Sequence, residues 1–266
     1  MKPREELQKL GVRPVEGQNF LNSQSTIKAL VEAGEIDDKT VLEIGAGTGS
    51  ITRELSEKAE KVYAVESDTT LANHVKGLKL DNVEVINENI LEYEIPEEIE
   101  RCVGNIPFQI SSEILDLLGE KQIQSSLLVQ KELAEKAVAD PGDKNYGYFS
   151  VRINYYFVPV KLRNVPSRNF HPSPDVDGAI LKLYPNKQRH GIKDEETFLK
   201  VAKALFTHKR KKIRNSFVDV RHILDIEKDR AKELRDQIPH SEKRVINLTV
   251  KEIAEIAEFY QENFNQ

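Results

Sequence analysis

Apolar residues recur along this chain in two alternating rhythms. Short apolar runs bounded by turn residues predict strands at 40–44, 61–66, 83–86, 101–104, 126–130, 155–162 and 178–184. Between them, apolar positions three and four residues apart predict helices at 22–34, around Ile51 and Leu55, and at 69–78, 111–118 and 131–139. Ile27, Leu30 and Val31 share a face of the first helix, and Asn22 or Ser23 stands where a cap is needed. Strands alternating with helices at this spacing imply a parallel sheet with crossover helices. The last two strands lack a full helix between them, so the final strand is expected to run antiparallel. Residues 185–192 are polar and turn-rich and read as a linker. Only helical patterns follow, at 195–206, 208–219, 226–236 and 249–264. The expected architecture is α/β, a seven-stranded, mostly parallel sheet over residues 1–186, with a small all-α domain over 187–266.

Composition narrows the picture. Of 266 residues, 31% are charged and 39% hydrophobic, which excludes a disordered, collagen-like or disulfide-built chain. The one cysteine, Cys102, permits no intrachain disulfide and no cysteine-based metal site; a metal is not expected. A reducing, cytoplasmic setting follows. No apolar run approaches the roughly 18 residues of a membrane span, and Met1–Glu6 lacks a signal-peptide core. The net charge is −5, yet residues 161–222 carry 15 Lys and Arg against 6 Asp and Glu, a local +9. A basic segment inside an acidic chain suits a localised anion-binding face.

Two segments carry chemistry. In Val41-Leu42-Glu43-Ile44-Gly45-Ala46-Gly47-Thr48-Gly49 a strand enters a glycine-rich turn that leads into a helix. The dinucleotide fingerprint needs a further glycine where Ser50 stands, and no Gly-Lys-Ser/Thr follows to make a P-loop. Glu66 ends the next strand, where a carboxylate can accept both hydroxyls of a ribose. A nucleoside cofactor without a pyrophosphate fits these features best, and S-adenosylmethionine is the common one. The second segment is Gly104-Asn105-Ile106-Pro107-Phe108, after the fourth strand. The Asn105 side-chain oxygen and the Ile106 carbonyl can accept hydrogen bonds from an exocyclic amine and aim its lone pair at a methyl donor. Phe108 can stack on the base, and Pro107 stiffens the turn. The amine is neutral, so positioning and electrostatics carry the rate without a strong base.

With these segments the chain resembles the ribosomal RNA adenine dimethyltransferase family, of the archaeal and bacterial 16S dimethyltransferase A type. The resemblance spans the length: Gly17-Gln18-Asn19-Phe20-Leu21, the glycine turn, Val65-Glu66-Ser67-Asp68, Asn105-Ile106-Pro107-Phe108, Leu128-Val129-Gln130-Lys131-Glu132, Asn169 to Asp177, and Leu205 to Ser216. It implies a Rossmann-like class I methyltransferase that dimethylates two adjacent adenines in the 3′-terminal hairpin loop of small-subunit rRNA. The partner would be the assembling small subunit, and the enzyme a monomer. By the same resemblance, Gln18, Asn19, Leu21, Gly45, Gly47, Glu66, Ser67, Asn89 and Asn105 would bind the cofactor, with Glu66 on the ribose. Asn105 and the Ile106 and Pro107 backbone would orient the target amine, with Phe108 and Phe170 on the two faces of the adenine. Lys209, Arg210, Lys211, Lys212 and Arg214, expected on one helix, would bind RNA. Two other readings compete: a large-subunit methylase of the macrolide-resistance group, and an assembly checkpoint factor whose methylation is dispensable. Three residues depart from the family pattern. Asn89 stands for an aspartate, which should weaken cofactor binding by about 1 kcal/mol. Phe108 stands for the commoner Tyr, and Gln109 for an Asn.

Overall fold

The structure is a computed structural model that describes residues 3–15 and 17–264. In chain order the elements are α1 (Pro3–Leu10), β1 (Phe20–Leu21), α2 (Gln24–Gly34), β2 (Thr40–Ile44), α3 (Ser50–Ser56), β3 (Lys61–Val65), α4 (Thr69–Lys76) and β4 (Val83–Ile86). After these come β5 (Arg101–Asn105), α5 (Ser111–Glu120), β6 (Gln124–Gln130), α6 (Lys131–Ala137), α7 (Tyr148–Tyr156), β7 (Phe157–Val165), β8 (Phe170–His171) and β9 (Gly178–Pro185). The remaining helices are α8 (Glu195–Phe206), α9 (Ile213–Asp219), α10 (Lys228–Leu234) and α11 (Val250–Phe264).

The chain divides into two compact units, residues 1–134 with 157–185, and residues 135–156 with 186–266. The sheet belongs to the first. Its order is β4-β3-β2-β5-β6-β9-β7, with β2 to β6 parallel and β9 antiparallel to both neighbours. Val41, Val62, Ala64 and Val103 form an apolar face buried with Leu30 and Val31 of α2 and Ile51 and Leu55 of α3. Burying each of these Val, Leu and Ile side chains is worth roughly 1.5–3 kcal/mol. The strand order turns back between β2 and β5, and an open parallel sheet leaves its ligand crevice at that point, beyond the carboxyl ends of the strands. Asp68 caps α4 by accepting from the Leu71 N–H at 2.9 Å, which fixes the turn after β3.

Residues 135–156, expected in the sheet domain, cluster with the second unit. Their aromatic groups explain it. The Tyr146 hydroxyl donates to the Leu248 carbonyl at 2.7 Å, and its ring meets Phe206 edge-on. Tyr155 and Tyr156 both donate to the Glu195 carboxylate, which also pairs with Arg189 of the linker at 2.8 Å. Residues 155 and 156 are thus the end of α7 and not the start of a strand. Also unforeseen are α1 and the antiparallel β1–β8 pair, where Phe20 faces His171 and Leu21 faces Phe170. Among the described residues no helix is long and apolar enough to cross a membrane.

One core position is polar. Glu43 on β2 is fully buried beside Thr52 of α3, without a hydrogen bond of ordinary geometry. Burial pushes its carboxyl up to about 8, with the charge of Glu66 adding to the shift. The folded chain therefore keeps a proton that the unfolded chain releases near 4.5, and stability falls as pH rises from there to about 8. Each pH unit in that window costs about 1.4 kcal/mol. Melting curves of the wild type and Glu43→Gln should converge near pH 5 and separate by several degrees at pH 8.5, the variant being the more stable.

Candidate active site

Loops from the carboxyl ends of β2, β3, β4 and β5 meet the N-terminal segment around one cavity. The β2 loop forms its floor. Gly45, Gly47 and Gly49 have φ of 76°, 55° and 75°, a left-handed backbone that favours glycine. The turn is held from β3: the Gly45 N–H donates to the Val65 carbonyl at 2.9 Å and the Gly47 N–H to Glu66 Oε2 at 2.8 Å. The second carboxylate oxygen, Oε1, accepts from the Asp68 N–H at 2.9 Å. Glu66 is only 7% exposed, and burial raises its pKa against the backbone N–H groups that lower it. Each oxygen spends one lone pair on the backbone and keeps another for a hydroxyl.

At the end of β5, Asn105 Nδ2 donates to the Asn19 carbonyl at 2.6 Å. An amide whose nitrogen is committed in this way offers its oxygen as an acceptor on the other side. The Pro107 carbonyl accepts from the Ser111 hydroxyl at 2.9 Å, so of the two backbone carbonyls expected to orient an amine, that of Ile106 fits the task better. Phe108 is half-buried on the cavity wall. The N-terminal segment is itself braced. Arg53 reaches from α3 to the Thr48 carbonyl and to Glu6 of α1, while Leu7 packs with Phe20 and Leu71.

Gln18, Asn19, Gly45, Gly47, Glu66, Ser67, Asn89 and Asn105 all border the cavity, as do Ile106, Pro107 and Phe108. Two predicted residues do not. Leu21 is buried in the core and borders only a smaller cleft beside Thr48 and Ser50. Phe170 is 3% exposed, with its ring against Gly178 in the core, so in this conformation it is not available to stack on a base. Its antiparallel pairing with Leu21 draws it inward. Asn89 Oδ1 accepts from the Leu91 N–H at 3.2 Å and Nδ2 donates to Glu92 at 3.3 Å, which orders the side chain at the rim. Sequence reasoning missed the apolar wall of Val65, Leu71, Ile90 and Ile110. Ile90 follows Glu88 and Asn89 directly, but only the structure separates it, buried, from the exposed Leu91 beside it. A glycine floor, a buried carboxylate with lone pairs to spare, an apolar wall and a side-chain amide are groups that fit S-adenosylmethionine. Among the described residues no cluster of three His, Cys, Asp or Glu could hold a metal.

The basic segment lies in the second unit, and it is not one helix. Residues 208–212 form a turn, and α9 starts only at Ile213. The turn runs antiparallel to residues 241–246: the Ile213 N–H donates to the Lys243 carbonyl at 2.8 Å and the Val245 N–H to the Lys211 carbonyl at 3.0 Å. This pairing brings in Lys243 and Arg244, which sequence spacing could not associate with it. Most of the charges are engaged. Lys211 pairs with Asp219 at 2.7 Å, Lys212 with Glu242 at 2.7 Å, and Arg214 with both Glu242 and Asp236. Lys209 donates to the carbonyls of Lys144 and Tyr146 and so acts as a strut. The exposed Arg210 guanidinium makes no ion pair among the described residues.

The profile of the ribosomal RNA adenine dimethylase family matches residues 11–262. A probable ribosomal RNA small subunit methyltransferase A from Methanopyrus kandleri is 35% identical, covering 94% of this chain and 93% of its own. Its namesake from Methanosarcina acetivorans is 38% identical over 90% of both chains. Among solved structures, a dimethyladenosine transferase from Plasmodium falciparum superposes with a TM-score of 0.82 at 25% identity, covering 92% of this chain and 98% of its own. The 23S rRNA methyltransferase ErmE gives 0.66 at 27% identity, covering 93% and 100%. A family match over nearly the whole chain means that this protein belongs to the ribosomal RNA adenine dimethylase family and is an S-adenosylmethionine-dependent methyltransferase.

Proposed function

We propose that this protein dimethylates the exocyclic amines of two adjacent adenines in the 3′-terminal hairpin loop of small-subunit rRNA, within the assembling subunit and as a cytoplasmic monomer. The observation that carries the chemistry is the Asn105 amide, whose nitrogen is held by Asn19 so that its oxygen faces a substrate. The names of the archaeal relatives favour the small subunit over the large. The second unit, with its paired basic segments, is the RNA-binding domain in this reading.

The mechanism follows from positioning. S-adenosylmethionine, when bound, supplies an electrophilic methyl group on its sulfonium. Glu66 would hold the ribose hydroxyls, and the glycine turn would let the backbone approach the amino-acid portion. Asn105 Oδ1 and the Ile106 carbonyl accept the two N–H groups of the adenine amine and turn its lone pair toward the methyl group. As nitrogen gains positive charge, the same two dipoles stabilise it, and the proton leaves to water. The monomethylated amine retains one N–H, which either acceptor can hold for the second transfer.

Three outcomes test this reading. Undermethylated small subunits incubated with the protein should yield dimethyladenosine in digested nucleosides, while large subunits yield none. Asn105→Ala should lower kcat by about 100-fold or more. Label in large subunits would move the activity there, and tight small-subunit binding without label would leave an assembly factor. Cofactor affinity should fall as pH drops through the raised pKa of Glu66, above the ordinary carboxylate value of 4.5, because a protonated carboxyl accepts poorly. Titration calorimetry should find that dependence absent in Glu66→Gln, which binds weakly throughout. For RNA, Arg210→Ala should flatten the salt dependence of binding by about one unit of slope. Glu242→Gln, which frees Lys212 and leaves Arg214 only its longer pairing with Asp236, should tighten binding instead.

A further inference from the structure

We propose that Gln109 is a positioning residue that governs how completely the amine is methylated. It pins the N-terminal strap, residues 17–21, and through that strap holds the Asn105 amide still for the second transfer. The inference rests on the dimethylation reading above.

Three observations carry it. Gly17 has a φ of 87°, and a Cβ built on it would lie 1.7 Å from Gln109 Nε2 and 2.4 Å from its Cδ. The end of the exposed Gln109 side chain therefore lies against Gly17, in the space a Cβ at position 17 would take, and a larger residue there would displace it. Next, the strap is a relay. Asn19 Nδ2 donates to the Gly17 carbonyl at 3.3 Å, and the Asn19 carbonyl accepts from Asn105 Nδ2 at 2.6 Å. A shift of Gly17 is thus passed to the group that aims the substrate. Finally, the strap is anchored at its far end by the pairing of Phe20 with His171 and Leu21 with Phe170, so Gln109 closes the near end. Gln109 lies on the short turn Phe108–Ile110, which also carries the ring expected to stack on the base.

The chemistry makes the second transfer the sensitive one. An unmethylated amine has two N–H groups for two acceptors, which hold it even if the amide rocks. The monomethylated amine has one, and its methyl group must also be accommodated, so its alignment depends on a still acceptor.

The test compares wild type, Gln109→Ala and Gln109→Met, the last keeping the reach to Gly17 without the amide. On undermethylated small subunits, Gln109→Ala should raise the ratio of monomethyl- to dimethyladenosine about threefold or more and lower kcat with little change in cofactor KM. Gln109→Met should restore both. Hydrogen exchange should show strap amides about tenfold less protected in Gln109→Ala, at an unchanged melting temperature. An unchanged product ratio and unchanged strap exchange would overturn the proposal. So would a lowered melting temperature with no rescue by methionine, which marks a purely structural residue. A wild-type protein that makes no dimethyladenosine sinks the proposed function, and the exchange measurement still decides whether Gln109 holds the strap.

Discussion

The hydrogen bond from Asn105 to the Asn19 carbonyl joins the end of β5 to a segment 86 residues earlier. A primary amide is ambiguous, since it offers a donor and an acceptor that differ only by a flip. Here the donor is committed and the ambiguity is gone. The rest of the site can be seen as support for that choice. Residues 20 and 21 are paired with β8, Phe20 is packed by α1, and α1 is tied to α3 through Glu6 and Arg53. Several distant elements thereby set the orientation of one side-chain amide.

Charge at the carboxyl end of the sheet is managed with equal economy. Glu43 on β2 lies close enough to Glu66, just after β3, for the charge of Glu66 to raise its proton affinity, and two buried carboxylates so placed would repel. The chain separates their roles by solvation. Glu43 has no hydrogen bond of ordinary geometry and stays neutral, while Glu66 accepts from the N–H groups of Gly47 and Asp68 and is eased toward the charged form. Cys102, on the adjacent β5, is likewise fully buried, and burial pushes its thiol up, away from reactivity.

The sheet and the cofactor loop were legible because their determinants are local. Apolar runs, glycines after β2, a carboxylate after β3 and the Asn-Ile-Pro-Phe segment after β5 are read within a few residues, and the resemblance added Asn19, Leu21, Asn89 and Phe170. What escaped depends on partners distant in sequence. Tyr146 and Tyr155 look like any buried tyrosines until Leu248 and Glu195 are beside them. The basic run reads as a helix by spacing, but its pairing with residues 241–246 delays α9 to Ile213. Its charge excess was real, yet sequence does not reveal that Asp219, Asp236 and Glu242 already occupy most of it. Phe170 was expected on a face of the adenine only through the resemblance, and here it is buried in the core, paired opposite Leu21.

The β1–β8 pair has a consequence for the order in which the protein becomes competent. Phe20 emerges early from a ribosome, but its pairing partner His171 follows after the five parallel strands have been made. Until then the N-terminal segment has no backbone partner, and such long-range pairings form late because loop closure must precede them. The glycine floor and the β3 carboxylate can be in place on the nascent sheet while the wall that includes Asn19 is missing. A methyltransferase of a ribosomal RNA family thus emerges from the ribosome that makes it with this wall of its cavity still open, and closes it only once the last strands of its sheet unit have been translated.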